Sequence, residues 1–269
     1  MVSIIMAAPR VLVLRAPGTN CDEETAYAFR LAGAIAERVH VNELVSNAAL
    51  ASRYQILCLP GGFSYGDDIG AGRILASRMR RHLAGLLRDF TDRQADRLML
   101  GICNGMQVMM RLGVLTDGLP LGHAATLAWN AHGRFEDRWV HLAIDPQSPC
   151  VFLRNLTNVY LPIAHAEGRF LASNATVLQQ MQAAGRLALR YSQPAGIVHN
   201  QALEFPLNPN GSQANVAGVC DASGRIFGLM PHPERHLDPT HHPFWTRRRE
   251  LPEHGEGLVI FQNAVNYFR

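Results

Sequence analysis

Much of the common machinery of enzymes is missing from this 269-residue chain. No Gly-x-x-x-x-Gly-Lys-Ser/Thr loop and no Gly-x-Gly-x-x-Gly fingerprint occurs, so the sequence shows no nucleotide-binding device of its own. Twelve histidines are present, yet none falls into His-Glu-x-x-His or mixed Cys/His spacing. The nearest groupings, His232 with His236 and His241 with His242, do not make a catalytic metal site. The five cysteines (Cys21, Cys58, Cys103, Cys150 and Cys220) are scattered, odd in number and without Cys-x-x-Cys spacing. That argues against a disulfide scaffold or zinc ribbon and for reduced thiols in a cytoplasm. No apolar run approaches a membrane span, and the stretch Met1–Met6 is too short for the core of a secretory signal. Arginines cluster at Arg78/Arg80/Arg81 and at Arg247–Arg249 without interleaved aromatics, which reads as solvated faces and not as a nucleic-acid stripe. Internal repeats, low-complexity tracts and linkers are absent too, so residues 1–269 read as a single domain.

What is present suits a globular enzyme with a large interior: 48% of residues are hydrophobic, 17% are charged, and the net charge is +3. The first half alternates short apolar strands with helical stretches. Val11–Leu14, Ala36–Val41, Gln55–Leu59 and Leu98–Ile102 read as strands; Glu23–Leu31, Gly72–Leu87 and Asn104–Leu112 read as helices. This alternation predicts an α/β fold, an open and mostly parallel sheet with helices on both faces. The second half is less regular. Strands are expected at Leu127–Trp129, Trp139–Ile144, Val159–Ile163, Leu187–Tyr191, Val216–Val219 and Ile226–Met230, with helices at Thr176–Ala184 and Leu258–Tyr267. The sheet is therefore expected to finish in antiparallel strands.

Three segments carry chemistry. Gly101-Ile102-Cys103-Asn104-Gly105 joins a strand to a helix in the manner of a nucleophile elbow, with glycines on both sides to relieve crowding at a strained turn. The helix N-terminus that follows favours a thiolate. The competing reading is that Cys103 is a small buried hydrophobe, and the five-residue pattern alone does not separate the two. Downstream, Pro231-His232-Pro233-Glu234 offers a base and a carboxylate two residues apart; in an extended segment both side chains leave on one face, so Glu234 can orient His232. Alone it would read as a surface turn. Paired with a cysteine elbow it reads as the rest of a triad. Third, Pro60-Gly61-Gly62-Phe63 ends a strand in a turn whose uncovered N–H groups suit an anion. The N–H of Gly62 or Phe63, with that of Asn104, would form an oxyanion hole. Gln107 points back along its helix toward the cysteine and is placed to bind the amino-acid end of a substrate.

Taken together, Pro60–Asp67, Gly101–Gln107 and Met230–Arg235 resemble the class I (triad) glutamine amidotransferases, which have a flavodoxin-like sheet. Within that class the closer resemblance is to the glutaminase subunits of phosphoribosylformylglycinamidine synthases, through Pro17–Asp22, Pro162–Arg169 and Asn208–Ser212. The resemblance implies hydrolysis of L-glutamine by a Cys103–His232–Glu234 triad, with Gln107 contacting the substrate. It implies transfer of ammonia to a large synthetase subunit, helped by a small accessory subunit. No cofactor is expected in this chain; ATP and Mg belong on the synthetase, and no nucleic-acid or membrane partner is implied. His165 and Glu167 are placed near the glutamine site or the partner face, a hydrogen-bonded loop histidine being the alternative. Segment 236–257 is longer than in shorter members and reads as a surface loop, or as a partner patch built on Phe244, Trp245 and Arg247–Arg249. Three rivals remain. A glutaminase of another synthetase fits the Phe63–Asp67 continuation poorly, a cysteine peptidase or glyoxalase would place His where Asn104 stands, and a non-enzymatic module would not keep all three triad residues.

Overall fold

The computed structural model describes residues 7–116, 124–194 and 196–269, so the stretch Met1–Met6 lies outside the described residues. The apolar runs of the first half become the inner strands of a sheet. β1 (Arg10–Arg15) is buried from Val11 to Leu14, and every residue of β3 (Ile56–Leu59) and β4 (Leu98–Ile102) is buried, as strands covered on both faces must be. β2 (Ile35–His40) carries Glu37 and Arg38 and lies at the sheet's edge, where charge discourages further pairing. The remaining strands are β5 (Ala125–Ala128), β6 (Glu136–Ile144), β7 (Asn158–His165), β8 (Arg169–Ala172), β9 (Leu189–Tyr191), β10 (Val216–Cys220) and β11 (Ile226–Leu229). Nine of them form one sheet in the order β2-β1-β3-β4-β11-β10-β9-β6-β7. From β2 to β11 all neighbours are parallel, and from β11 outward all are antiparallel. The α/β expectation, including its antiparallel ending, describes this architecture.

The helices are α1 (Asp22–Leu31), α2 (Val41–Ser46), α3 (Arg73–His82), α4 (Ala84–Thr91), α5 (Asn104–Leu112), α6 (Ala175–Ala183) and α7 (Leu258–Asn266). α5 is buried from Asn104 to Met110, with Asn104, Gln107 and Arg111 spaced along one polar face. α1 meets α7 through an edge-to-face contact of Phe29 and Phe261, with ring centroids 4.9 Å apart, joining the chain's two ends in one core. Among the described residues, no helix is long and apolar enough to cross a membrane.

Four local expectations need correction. The stretch 72–87 is two helices, broken at Leu83, where the backbone leaves helical geometry (φ −122°, ψ 27°). Leu75, Met79, Leu83, Leu86 and Phe90 are all buried, so the apolar rhythm runs through the break and hides it. The strand expected at Leu127–Trp129 is β5, which stops at Ala128 and pairs with β8 in a separate two-stranded sheet; Trp129 is 59% exposed. α2 and β8 escaped prediction because each buries too few apolar side chains to show a period: Val41 and Leu44 in one, Phe170 alone in the other. Finally, Pro233–Arg235 is a 3-10 turn and not an extended segment.

Candidate active site

Cys103 stands where β4 gives way to α5, at the carboxyl end of a central parallel strand, the usual place for ligands in open α/β sheets. Its backbone is held at φ 51° and ψ −105°, in a region that costs a non-glycine residue about 1–3 kcal/mol. The surroundings enforce this conformation. The Cys103 N–H donates to the Leu229 carbonyl of β11 at 2.8 Å, and Gln107 N–H donates back to the Cys103 carbonyl at 3.1 Å. The flanking glycines are required by close approach: a Cβ on Gly105 would stand 1.9 Å from the Leu59 carbonyl oxygen, and one on Gly101 would stand 2.4 Å from Met109 Sδ.

His232 arrives from the end of β11, its N–H donating to the Pro162 carbonyl of β7 at 2.8 Å. The 3-10 turn that follows folds Glu234 back under the ring, and His232 Nδ1 donates to Glu234 Oε1 at 2.6 Å. Both side chains are almost wholly buried. The predicted pairing is therefore present, made by a turn and not by strand alternation. Burial by itself would push the imidazole toward neutrality. The Glu234 carboxylate and the sulfurs of Cys103 and Cys21 outweigh it, and the ring is held well above its ordinary value of 6.5. Among the described residues its Nε2 has no partner in hydrogen-bond geometry, so this nitrogen is unspent.

The glycine turn packs beside this pair. Phe63 N–H donates to the Gly18 carbonyl at 3.0 Å and is already committed. The N–H groups of Gly62 and of Asn104, the first residue of α5, meet no acceptor among the described residues. Of the two donors offered by the turn, the geometry therefore leaves Gly62. The Phe63 side chain, 47% exposed, walls the cavity instead.

A polar relay fastens the turn to the elbow. Asn104 Nδ2 donates to Asp67 Oδ1 (3.1 Å) and to Gln107 Oε1 (3.0 Å), Ser64 N–H donates to Asn104 Oδ1 (3.3 Å), and Gln107 Nε2 donates to the Glu167 carbonyl (2.7 Å). Gln107 thus borders the cavity with one donor and one acceptor position left over. That cavity, about 190 Å³, is bounded by Gly62, Phe63, Cys103, Gln107, His165 and Glu167, among others. A second one, about 200 Å³, continues past Cys103 to His232, Arg235 and Cys21.

His165 ends β7, buried, with Nδ1 3.2 Å from Asn130 Oδ1. Because Asn130 Nδ2 donates to the His165 and Arg134 carbonyls, Asn130 Oδ1 is an acceptor and His165 carries its proton on Nδ1. Burial drives its pKa down to about 3, so it is neutral. Sequence reasoning missed two residues here. Cys21 lies against His232, and Asn130 orients His165; neither stands at a spacing that would betray a neighbour more than thirty residues away in sequence. All five cysteines are unpaired and buried. In segment 236–257, His236, Leu237 and His242 are buried while Phe244, Trp245 and the arginines stay exposed.

A strained cysteine at a strand–helix elbow, backed by a buried His–Glu pair and facing two uncommitted N–H groups, is the arrangement that cysteine-dependent acyl transfer requires. Residues 8–268 match the family described as the CobB/CobQ-like glutamine amidotransferase domain, and the chain belongs to that family. It is 43% identical over 264 residues to the phosphoribosylformylglycinamidine synthase subunit PurQ of Dehalococcoides mccartyi, covering 98% of this chain and 99% of that one. The subunit of the same name from Methanococcus maripaludis strain C7 is 40% identical over 276 residues, again with 98% and 99% covered. The solved structure of PurLQS from Thermotoga maritima superimposes with a TM-score of 0.70 at 27% identity, over 98% of this chain and 100% of the matched one.

Proposed function

We propose that this chain is the glutaminase subunit of a phosphoribosylformylglycinamidine synthase, one amidotransferase domain with a surface elaboration at 236–257. Cys103, as thiolate beside the His232 imidazolium, attacks the side-chain amide carbon of L-glutamine. The oxyanion is held by the N–H groups of Gly62 and Asn104, a kind of contact whose removal costs roughly 10²–10³ in rate. His232 gives its proton to the departing nitrogen, ammonia leaves, and water then cleaves the γ-glutamyl thioester, its proton passing to His232. Glu234 fixes the ring's orientation and supports its charge. Gln107 supports the substrate's amino-acid end with its remaining polar positions.

The observation that carries this reading is the backbone of Cys103: strain of this kind persists only where the surroundings over-determine it, and here they aim a thiol into a cavity flanked by a base. Supporting the narrower assignment, the relatives named PurQ match along nearly their whole length. The ammonia would pass to a large synthetase subunit that holds ATP and Mg and amidates formylglycinamide ribonucleotide, a small accessory subunit completing the complex in the cytoplasm. The test is glutamate release from glutamine by the purified chain, alone and with synthetase subunits, ATP, Mg and formylglycinamide ribonucleotide. Low release alone that rises with the partners is expected, and its loss in Cys103→Ala. Undiminished release from a folded Cys103→Ala variant would refute the assignment.

A further inference from the structure

The triad is not alone in its pocket. Cys21, at the N-terminus of α1, brings a second sulfur to the same imidazole. Its Sγ, a ring nitrogen of His232 and a carboxylate oxygen of Glu234 all lie within 4.8 Å of one another. All three residues are at most 2% exposed. Glu234 Oε2 and His232 Nε2 are buried without a hydrogen-bond partner among the described residues, so the cluster has polar atoms left over for a ligand. Gly61 keeps the space open: a Cβ there would stand 2.7 Å from His232 Cε1 and 3.2 Å from Cys21 Sγ. Access exists as well, through the cavity of about 200 Å³ lined by Cys21, Cys103, His232 and Arg235.

We propose that Cys21, His232 and Glu234 form a binding site for a thiophilic divalent cation, with Zn²⁺ the best match, and that the bound cation switches the glutaminase off. Sulfur, imidazole nitrogen and carboxylate oxygen make a donor set that suits Zn²⁺ and not Mg²⁺, and Cys103 lines the same cavity as a prospective fourth ligand. Binding releases two protons to solvent, one from the Cys21 thiol and one from the His232 imidazolium, and replaces them with Zn–S and Zn–N bonds. Arg235 opposes this, since its Nη2 sits 3.2 Å from Cys21 Sγ. Its side chain is 39% exposed and also held by Glu24, also at the surface, so it can swing outward when a cation enters. An imidazole engaged by the cation, or parted from Glu234 by it, no longer serves Cys103. The inhibition rests on the triad reading above; the binding does not.

The experiment uses Co²⁺ as a spectroscopic probe in the full chain. Cys103→Ala, which leaves Cys21 as the one cavity sulfur able to give the signal, is expected to bind one Co²⁺ with a sulfur-to-cobalt charge-transfer band, displaced by Zn²⁺ but not by Mg²⁺. Adding Cys21→Ser should abolish the band and weaken Zn²⁺ by at least the roughly 10–100-fold that loss of a ligand's mere supporting contact costs. His232→Ala in the same background should weaken Zn²⁺ as well, with far-ultraviolet circular dichroism confirming that each variant is folded. A band of undiminished strength in the Cys21→Ser double variant, or none in Cys103→Ala, would overturn the site. In the wild type, Zn²⁺ should stop glutamate release and a chelator restore it; bound Zn²⁺ with undisturbed release would overturn the switch. A wild type that releases no glutamate under any condition would count against the triad reading, while the cobalt spectra would still decide the site.

Discussion

At the scale of single residues, the site depends on a charge held against its surroundings. Burial disfavours the His232 imidazolium, and the Glu234 carboxylate 2.6 Å away does most to reverse that. Because the folded-state pKa lies well above 6.5, this proton stabilises the fold fully below pH 6.5, and the contribution is lost as pH rises through the raised value. In Glu234→Gln the support is gone. The thermal midpoint of the variant should therefore lie furthest below the wild type at pH values under 6.5, and the gap should narrow as the solution becomes alkaline; a gap that widens with pH would contradict the account. Cys103, His232 and Glu234 were legible because chemistry forces them into short local motifs. Cys21 and Asn130 were not. Each acts through a partner in another element, and only the fold brings the two together.

Elements carry the precision of the site, chiefly through backbone-to-backbone approach. The β4–α5 elbow works because the carbonyl of Leu59 passes so near Gly105 that no side chain fits. Gly105→Ala is expected to cost about 1–3 kcal/mol or more in denaturant unfolding and to depress glutamine hydrolysis with it, since the obstructing atom is backbone and cannot turn aside. Gly133 is a fair control. Unlike the helical Gly105 it has positive φ (70°), but no atom among the described residues lies within 4 Å of its would-be Cβ, so Gly133→Ala should cost roughly 1 kcal/mol and leave hydrolysis intact. An equal loss from both would argue that the elbow's packing is unimportant. The segment Asn208–Ser212, conspicuous in the sequence, proves to be a clamp: Asn210 Nδ2 donates to the Gly168 carbonyl (2.9 Å) and Phe170 N–H donates to Ser212 Oγ (3.0 Å). It fixes the strand-to-strand turn whose Glu167 carbonyl receives Gln107. The long helices were readable from their periods and the buried strands from their unbroken apolar runs. The His-Pro-Glu turn was not, because a 3-10 turn and an extended segment both bring residues two apart together when prolines stiffen the chain.

The whole molecule divides the chemistry between its halves. The parallel half, β2 to β4, carries Cys103 and the uncommitted N–H groups of Gly62 and Asn104 at its carboxyl edge; β11 (Ile226–Leu229) joins that half from far along the chain and brings His232 beside them. The antiparallel half then closes the far wall of the cavity with β7, whose Ala164 and His165 face the same space. Alternation of strand and helix made the first half legible, whereas the return of β11 to the side of β4 is a long-range pairing that no local pattern announces. The central claim is that Cys103 becomes acylated by glutamine. Its most direct test is a rapid acid quench of the chain, with its synthetase partners, during turnover of glutamine radiolabelled in the carbon skeleton, followed by peptide mapping. The account predicts label on the peptide containing Cys103, discharged by hydroxylamine and absent in Cys103→Ala. Label on Cys21 or another residue, or turnover with no covalent label at all, would contradict it.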